Sequence, residues 1–137
     1  DVAKWVSSVP HPYAISDAHE YLTDIEASDC PVWLIQDLSG PVGIIGFHSL
    51  LGYWLAPDAW CKGYATEAVL AAVTWHFAQS DKSLEADYLY GNAASARVLS
   101  KAGFREIGAS TCSSRAAGEN LPSVRMILTK PDWDARQ

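Results

Sequence analysis

The sequence predicts one α+β domain built on a mixed, mostly antiparallel central sheet with helices on both faces. Its 137 residues, 49% of them hydrophobic and 19% charged, suffice for one hydrophobic core and leave no room for a second. β-rich runs bounded by turn residues alternate with segments of helical periodicity. The predicted order is helix, three strands, helix, strand, helix, two strands. The helix between the third and fourth strands makes those two strands parallel, because a crossover returns the chain in the same direction.

Three segments carry helical signals. The first helix is predicted to begin after Ser16, a good N-cap, and to end near Ser28. Its apolar residues recur with the spacing of one helix face: Ala18, Tyr21, Leu22 and Ile25. The segment from Tyr64 to Gln79 has no Gly or Pro and is apolar on nearly every side, which predicts a helix buried between layers. A third helix follows Asn92 and ends at Gly103, a good C-terminal cap.

Six segments are predicted as strands: Val32 to Asp37, Val42 to His48, Leu50 to Leu55, Leu84 to Leu89, Glu106 to Cys112 and Ser123 to Thr129. The first two form a hairpin through the Gly40-Pro41 turn. The turn from His48 to Leu50 lacks the Gly, Asn or Asp that a tight hairpin favours, and the sequence begins at Asp1 without Met. We therefore expect residues of the native chain to be absent from this sequence at both points.

Charge and composition exclude several classes of protein. A formal net charge of −6 predicts no nucleic-acid partner, because phosphate neutralisation needs clustered Lys and Arg. No apolar run approaches the roughly 20 residues of a membrane span, and no signal pattern opens the chain. We therefore predict no membrane partner and a soluble, cytoplasmic protein, either monomer or homodimer. Cys30, Cys61 and Cys112 are far apart and lack His neighbours at ligand spacing, so we predict free thiols and no metal.

The segment from Gly52 to Ala68 runs from a strand through a short loop into a helix. The first turn of that helix has unpaired N–H groups and the positive end of the helix dipole, so it is suited to a pyrophosphate. Gly63 lets the backbone approach a ligand closely, and Lys62 adds a cation to an acidic protein. A glycine required only for steric reasons in a strand-to-helix loop is the alternative. A nucleotide P-loop is excluded because its sequence pattern is absent.

The loop resembles the pyrophosphate loop of the GNAT superfamily of acetyltransferases, with Trp60, Gly63 and Ala65 at its marked positions. The flanking residues resemble the branch of ribosomal-protein N-terminal acetyltransferases (RimJ and RimL), in which Trp commonly replaces the first Gln or Arg. Cys61 departs from that branch, where Gly is usual, and fits without strain only if its φ is negative. The resemblance implies the GNAT fold, in which a splayed pair of parallel strands binds coenzyme A.

A second segment, from Asn92 to Phe104, matches the N-x-x-S-x-R-V-L-x-K-x-G-F pattern of the same branch. The Asn92 amide can pair with the amides of a pantetheine arm, and the resemblance assigns it that task. Ser95 is polar on an apolar helix stripe and needs a partner; a bond back to the preceding helical turn is the alternative to a functional role. The resemblance implies that Ser95 protonates or hydrogen-bonds the departing thiolate. Many family members use a Tyr where this chain has Leu99.

Acetyl-CoA is thus the predicted co-substrate, and a primary amine the predicted acceptor: a protein N-terminus like those of ribosomal proteins, a polyamine or another small amine. A backbone N–H near Leu55 is the expected partner of the thioester oxygen. We predict that eleven residues bind the cofactor: Trp54, Leu55, Cys61, Lys62, Gly63, Tyr64, Ala65, Thr66, Asn92, Ser95 and Arg97. Lys101 lies one turn from Arg97 and either joins it on the ribose phosphate or belongs to a solvated helix face.

Deprotonation of the amine calls for a carboxylate or His near the site. The resemblance places a base at Asp87, five residues before Asn92, and Glu85 shares its strand face, while His48 is a further candidate. His11 and Tyr13 resemble the acceptor-side wall of this branch. The family's usual first strand and helix are expected to be missing, so that residues 1–137 form one GNAT domain. The alternative function is a catalytically silent acyl-CoA-binding module.

Overall fold

The computed structural model describes residues 30–47, 50–114 and 119–136. Their elements, in chain order, are β1 (Val32–Asp37), β2 (Gly40–Phe47), β3 (Leu51–Leu55), a 3-10 turn (Pro57–Ala59), α1 (Tyr64–Phe77), β4 (Leu84–Leu89), α2 (Ala93–Ala102), β5 (Arg105–Ser114), β6 (Glu119–Leu128) and α3 (Lys130–Ala135). The predicted helix after Ser16 and the residues His11, Tyr13 and His48 lie outside the described residues.

The six strands form one sheet in the order β1-β2-β3-β4-β6-β5. Only β3 and β4 are parallel, as the helical crossover between them predicted; the other neighbours are antiparallel. The described register pairs β3 with β4 at a single position, Leu51 with Ala86. Beyond that pair the two strands continue to Leu55 and Leu89 without pairing, so the sheet opens between their C-terminal ends. We call this opening the cleft.

The core lies on one face of the sheet, where α1 and α2 pack. Its largest fully buried side chains are Val69 and Val73 of α1, Leu99 of α2, and Met126 and Leu128 of β6. α1 buries Val69, Ala72, Val73 and Phe77 against the sheet, whereas Trp75, on another side of the helix, is 41% exposed. Within the described part of the chain the helices share this face, and the helix predicted after Ser16 lies outside that part.

One helix was missed. α3 begins after Thr129, whose side-chain oxygen accepts a hydrogen bond from the Asp132 N–H at 3.2 Å, and it carries Pro131 in its first turn. Thr129-Lys130-Pro131-Asp132, with an N-cap threonine and a proline in the first turn, is a helix-start signal, which the strand prediction ending at Thr129 overlooked. Trp133 of this helix stacks on Phe77 with ring centroids 6.1 Å apart, and so closes the far end of the core.

Gly43 allows β2 to lie close to β3. A Cβ atom there would collide with the backbone oxygen of Trp54 and would lie 2.8 Å from the Leu55 Cδ2 atom. Since Gly43 pairs directly with Leu55, the last residue of β3, this close approach sets the position of one edge of the cleft.

We expect Gly43→Ala to lower the free energy of unfolding by about 1–3 kcal/mol, because a rigid backbone atom must move to admit the new methyl group. Gly108→Ala is the matched control, since nothing lies within 4 Å of a Cβ atom at that position of β5. Urea unfolding of both variants measures the difference. Equal stability of the two variants would show that the close approach has no energetic weight.

Candidate active site

Backbone groups that have no partner on β4 line the β3 edge of the cleft. The Ala56 N–H donates to the Val42 carbonyl at 2.8 Å, so at alternate residues the β3 backbone faces β2. The N–H and C=O groups of Tyr53 and Leu55 therefore face the opposite edge, where the described register offers no β4 partner. The Leu55 N–H, expected from the sequence to meet the thioester oxygen, faces the cleft.

The loop after β3 is tied to the strand that it leaves. The Trp60 indole Nε1–H donates to the Leu55 carbonyl at 2.9 Å. This bond holds the loop against the end of β3. It is a structural role for Trp60 at the position where the family pattern has Gln or Arg. The sequence showed the substitution but not this partner.

α1 begins with its N-terminus uncapped by any side chain. Gly63 adopts a left-handed conformation (φ 80°), and the first bond of the helix runs from the Glu67 N–H to the Gly63 carbonyl at 3.1 Å. The N–H groups of Tyr64, Ala65 and Thr66 precede that bond and have no carbonyl partner within the helix. Together with the helix dipole and the exposed side chain of Lys62, they form a site suited to an anion.

Tyr64 anchors the start of α1 to the turn between β1 and β2. Its hydroxyl donates to Asp37 Oδ2 at 3.2 Å. The pKa of Asp37 is lowered chiefly by its hydrogen bonds from the Ser39 hydroxyl and N–H, and the pKa of Tyr64 is raised by its bond to that carboxylate. The Tyr64 side chain is thus committed to Asp37, and what it offers a ligand is its backbone N–H.

Cys61 has φ of 60°, a left-handed conformation that a side chain disfavours. The condition for an unstrained cysteine, a negative φ, is therefore not met. A Gly at this position, which is usual in the branch of ribosomal-protein N-terminal acetyltransferases that the loop resembles, would have no such strain. The Cys61 side chain is exposed, next to Lys62 on the anion site.

Asn92 caps α2. Its side-chain oxygen accepts a hydrogen bond from the Ser95 N–H at 3.2 Å, so one side of the amide is already used within the protein. Its NH₂ group remains as the donor to a ligand. Arg97 and Lys101 are exposed on the outer face of the same helix, as their spacing predicted. Trp54 is half-buried, and strand alternation puts its side chain on the opposite sheet face from that of Tyr53.

The Ser95 hydroxyl finds its partner across the cleft, not in its own helix. The Ser95 Oγ and Tyr53 Oη atoms are 2.8 Å apart. Burial raises the pKa of Tyr53 to about 12, although its hydrogen bond to Ser95 acts in the opposite direction. The prediction that the Ser95 hydroxyl points inward and needs a partner is confirmed, and the partner is one that the sequence did not indicate.

Asp87 and Glu85 lie on the sheet face opposite the helices. Asp87, only 7% exposed, accepts hydrogen bonds from Arg125 on both of its oxygens, and the Cys112 thiol donates to it at 3.5 Å. Its carboxylate also raises the pKa of Arg125, while burial is the main cause that raises the pKa of Cys112. Glu85 is 43% exposed and lies 3.9 Å from the same guanidinium. The structure thus joins both predicted carboxylates through Arg125, a residue that the sequence did not single out.

Two further features concern the described residues as a group. They contain no set of three or more His, Cys, Asp or Glu side chains arranged to hold a metal ion. A membrane-crossing helix is not found among them either, since none is sufficiently long and apolar.

Solved structures share this fold. A ribosomal-protein-S5-alanine acetyltransferase from Vibrio fischeri superposes with a TM-score of 0.76 at 21% identity, over 96% of this chain and 81% of that one. A spermidine N-acetyltransferase from Vibrio cholerae, in complex with CoA and spermine, gives a TM-score of 0.73 at 16% identity, over 90% of this chain and 80% of that one. The chain therefore shares the fold of both acetyltransferases, a mixed sheet with one parallel strand pair, as the sequence predicted.

The chain belongs to the acetyltransferase (GNAT) domain family, whose model matches residues 1–105. Its sequence is 33% identical over 82 residues to an uncharacterized N-acetyltransferase, YoaA, of Bacillus subtilis (strain 168). That match covers 53% of this chain and 46% of the relative, so the matched segment spans about half of the relative's length. Membership of this acetyltransferase family agrees with acetyl-CoA as the predicted co-substrate.

Replacement of Cys61 by Gly should raise the free energy of unfolding by about 1 kcal/mol, since Gly adopts a positive φ at no steric cost. Thermal unfolding measures the change. Cys61→Ala serves as the control, because it removes the thiol but keeps the Cβ atom and hence the strain. If Ala stabilised the protein as much as Gly, the strain would not come from the backbone.

Proposed function

We propose that the chain transfers the acetyl group of acetyl-CoA to a primary amine by direct attack on the thioester. One observation carries this proposal: the only parallel strand pair of the described sheet diverges, and both motif segments begin at its open end. Ligands of open α/β sheets bind at the carboxyl ends of parallel strands, where helix N-termini and free backbone groups converge.

The proposed cofactor position follows from the donors along the cleft. The pyrophosphate lies on the N–H groups of Tyr64, Ala65 and Thr66, beside Gly63 and Lys62. The pantetheine arm enters between β3 and β4, where the free NH₂ of Asn92 donates to one of its carbonyls. The ribose phosphate is held by Arg97, with Lys101 one turn further along the helix.

The reaction needs positioning more than covalent chemistry. The neutral amine nitrogen attacks the thioester carbon, the C–S bond breaks, and its electron pair leaves with sulfur. The nitrogen then loses its remaining extra proton to water, which completes the amide. The Leu55 N–H donates to the carbonyl oxygen as negative charge develops there. The Ser95 hydroxyl donates a hydrogen bond to the departing sulfur.

The acceptor amine is proposed to approach from the Asp87 side of the sheet. Asp87 directly follows Ala86, the position of β4 that pairs with β3, and its side chain points away from the helical face that holds Ser95. Asp87, Glu85 and Arg125 together carry a formal charge of −1, which favours a cationic acceptor. Since Arg125 engages both oxygens of Asp87, we assign proton removal to the more exposed Glu85, through water.

Acetyl-CoA turnover, followed by release of free thiol, should be detectable on at least one member of a panel of N-terminal peptides, polyamines and aminoglycosides. The acceptor that is consumed names the substrate class. Tight binding of acetyl-CoA with no turnover on any acceptor would favour the alternative, a silent acyl-CoA-binding module.

Asn92→Asp is the matched control for the proposed cofactor position. It keeps the oxygen that caps α2 but loses the NH₂ donor, so the KM for acetyl-CoA should rise about two- to tenfold while stability is unchanged. Asn92→Ala should lose the cap as well, at a cost of about 1 kcal/mol of stability.

Glu85→Gln should lower kcat/KM at neutral pH, and the loss should shrink as the pH rises and the acceptor amine loses its proton without help. Asp87→Asn would not separate a catalytic from a structural effect, because it also weakens the ion pair with Arg125. The measurement is the pH–rate profile of Glu85→Gln against wild type. A loss of the same size at every pH would exclude Glu85 as the base.

A further inference from the structure

A hydrogen bond between two side chains spans the cleft on its helical side. Tyr53 lies two residues beyond Leu51, the last residue of β3 that pairs with β4. Its ring packs against the core, and its hydroxyl meets the Ser95 Oγ in the first turn of α2, 42 residues away in sequence. The bond therefore joins the two sides of the cleft where the sheet itself does not.

Each of these hydroxyls has one proton to donate and lone pairs to accept with. A phenol is much more acidic than an alkyl hydroxyl, so the favoured arrangement has Tyr53 donating and Ser95 accepting. The Ser95 proton is then free to point elsewhere, and among the described residues no other partner of the Ser95 Oγ is found. With its pKa raised to about 12, Tyr53 remains a protonated donor across the neutral range.

We propose that Tyr53 is a positioning residue, which by donating to the Ser95 oxygen turns the Ser95 hydroxyl proton toward the sulfur of coenzyme A. This inference rests on the proposed function, because it takes the thioester to lie in the cleft. Without the Tyr53 hydroxyl, the Ser95 hydroxyl is free to donate instead to the carbonyl of Asn92 or Gly91, three and four residues before it, as serines in helices commonly do.

The pair acts by hydrogen bonding and not by giving up a proton. A thiol has an ordinary pKa of about 8.5, well below that of either hydroxyl, so the departing thiolate cannot remove a proton from Ser95 or Tyr53 to any large extent. The thiolate keeps the electron pair of the broken C–S bond and later takes its proton from solvent. The Tyr53–Ser95 chain stabilises the sulfur while its charge develops.

Tyr53→Phe tests the inference because it removes one oxygen and keeps the ring. We expect kcat to fall roughly three- to tenfold, with the KM for acetyl-CoA changed less than about twofold. In a Ser95→Ala background the same change should cause no further loss, since the residue through which Tyr53 acts is gone. Tyr88→Phe is the matched control: it also removes a bonded phenol, one that donates to Glu106 at 2.7 Å, and it should leave kcat unchanged.

A second readout needs no turnover. Hydrogen bonds to a thiolate lower the pKa of the thiol, so bound CoA should titrate at a lower pH in wild type than in Tyr53→Phe, as followed by thiolate absorbance in the ultraviolet. Equal thiol pKa values in the two proteins would overturn the inference, as would a loss of kcat that persists in full in the Ser95→Ala background. If wild type turned over no acceptor, the proposed function would fail, while the pKa of bound CoA would still decide the role of Tyr53.

Discussion

The site depends on the separation of β3 from β4 after a single paired position. Two neighbouring strands remain apart only if each is held on its other edge, because unpaired N–H and C=O groups favour closing the gap. Here β3 is paired with β2 along its whole length, and β4 is paired with β6 along its own. The cleft is therefore an opening between two rigid edges, and it presents backbone donors at fixed positions.

The two helices that follow these strands bring different kinds of donor to the cleft. α1 has no side-chain cap, and this leaves three N–H groups for an anion; α2 is capped by Asn92, so its first N–H groups are partly satisfied. An uncapped helix beside a capped one suits the proposed ligand, which has a charged pyrophosphate at one end and a neutral amide arm at the other. At Asn92 the side-chain oxygen is used to cap the helix, and in the proposed cofactor position the nitrogen of the same amide donates to the ligand, so one residue would serve both stability and binding.

The sequence was sufficient for features that are local. The strand from Leu84 to Leu89 was predicted to the residue, and the cap at Gly103 is confirmed by its φ of 105°, because hydrophobic period and cap chemistry act over a few positions. The site was predictable only in part. The pairs Tyr53–Ser95 and Asp87–Arg125 join residues 42 and 38 positions apart. The first pair depends on how α2 packs against β3, and the second on the register of β4 with β6, neither of which is a local feature of the sequence. The positive φ of Cys61 could not be predicted for a different reason: a glycine in the sequence indicates a possible positive φ, and a cysteine does not.

The burial of Leu99 explains why the phenol beside Ser95 comes from β3. In the family that the motif resembles, a Tyr often stands at the position of Leu99, but here that side chain is 1% exposed and fills the core between α2 and the sheet. The position on α2 is thus occupied by a leucine that packs in the core, and the phenol that reaches the cleft is that of Tyr53, on β3. Tyr53 belongs to β3 and does not move with α2. Its hydrogen bond to Ser95 therefore also holds the first turn of α2 against β3. The same contact therefore orients the hydroxyl to which we assign the hydrogen bond to sulfur, and it also limits the width of the cleft, two tasks that a tyrosine on the helix would not combine.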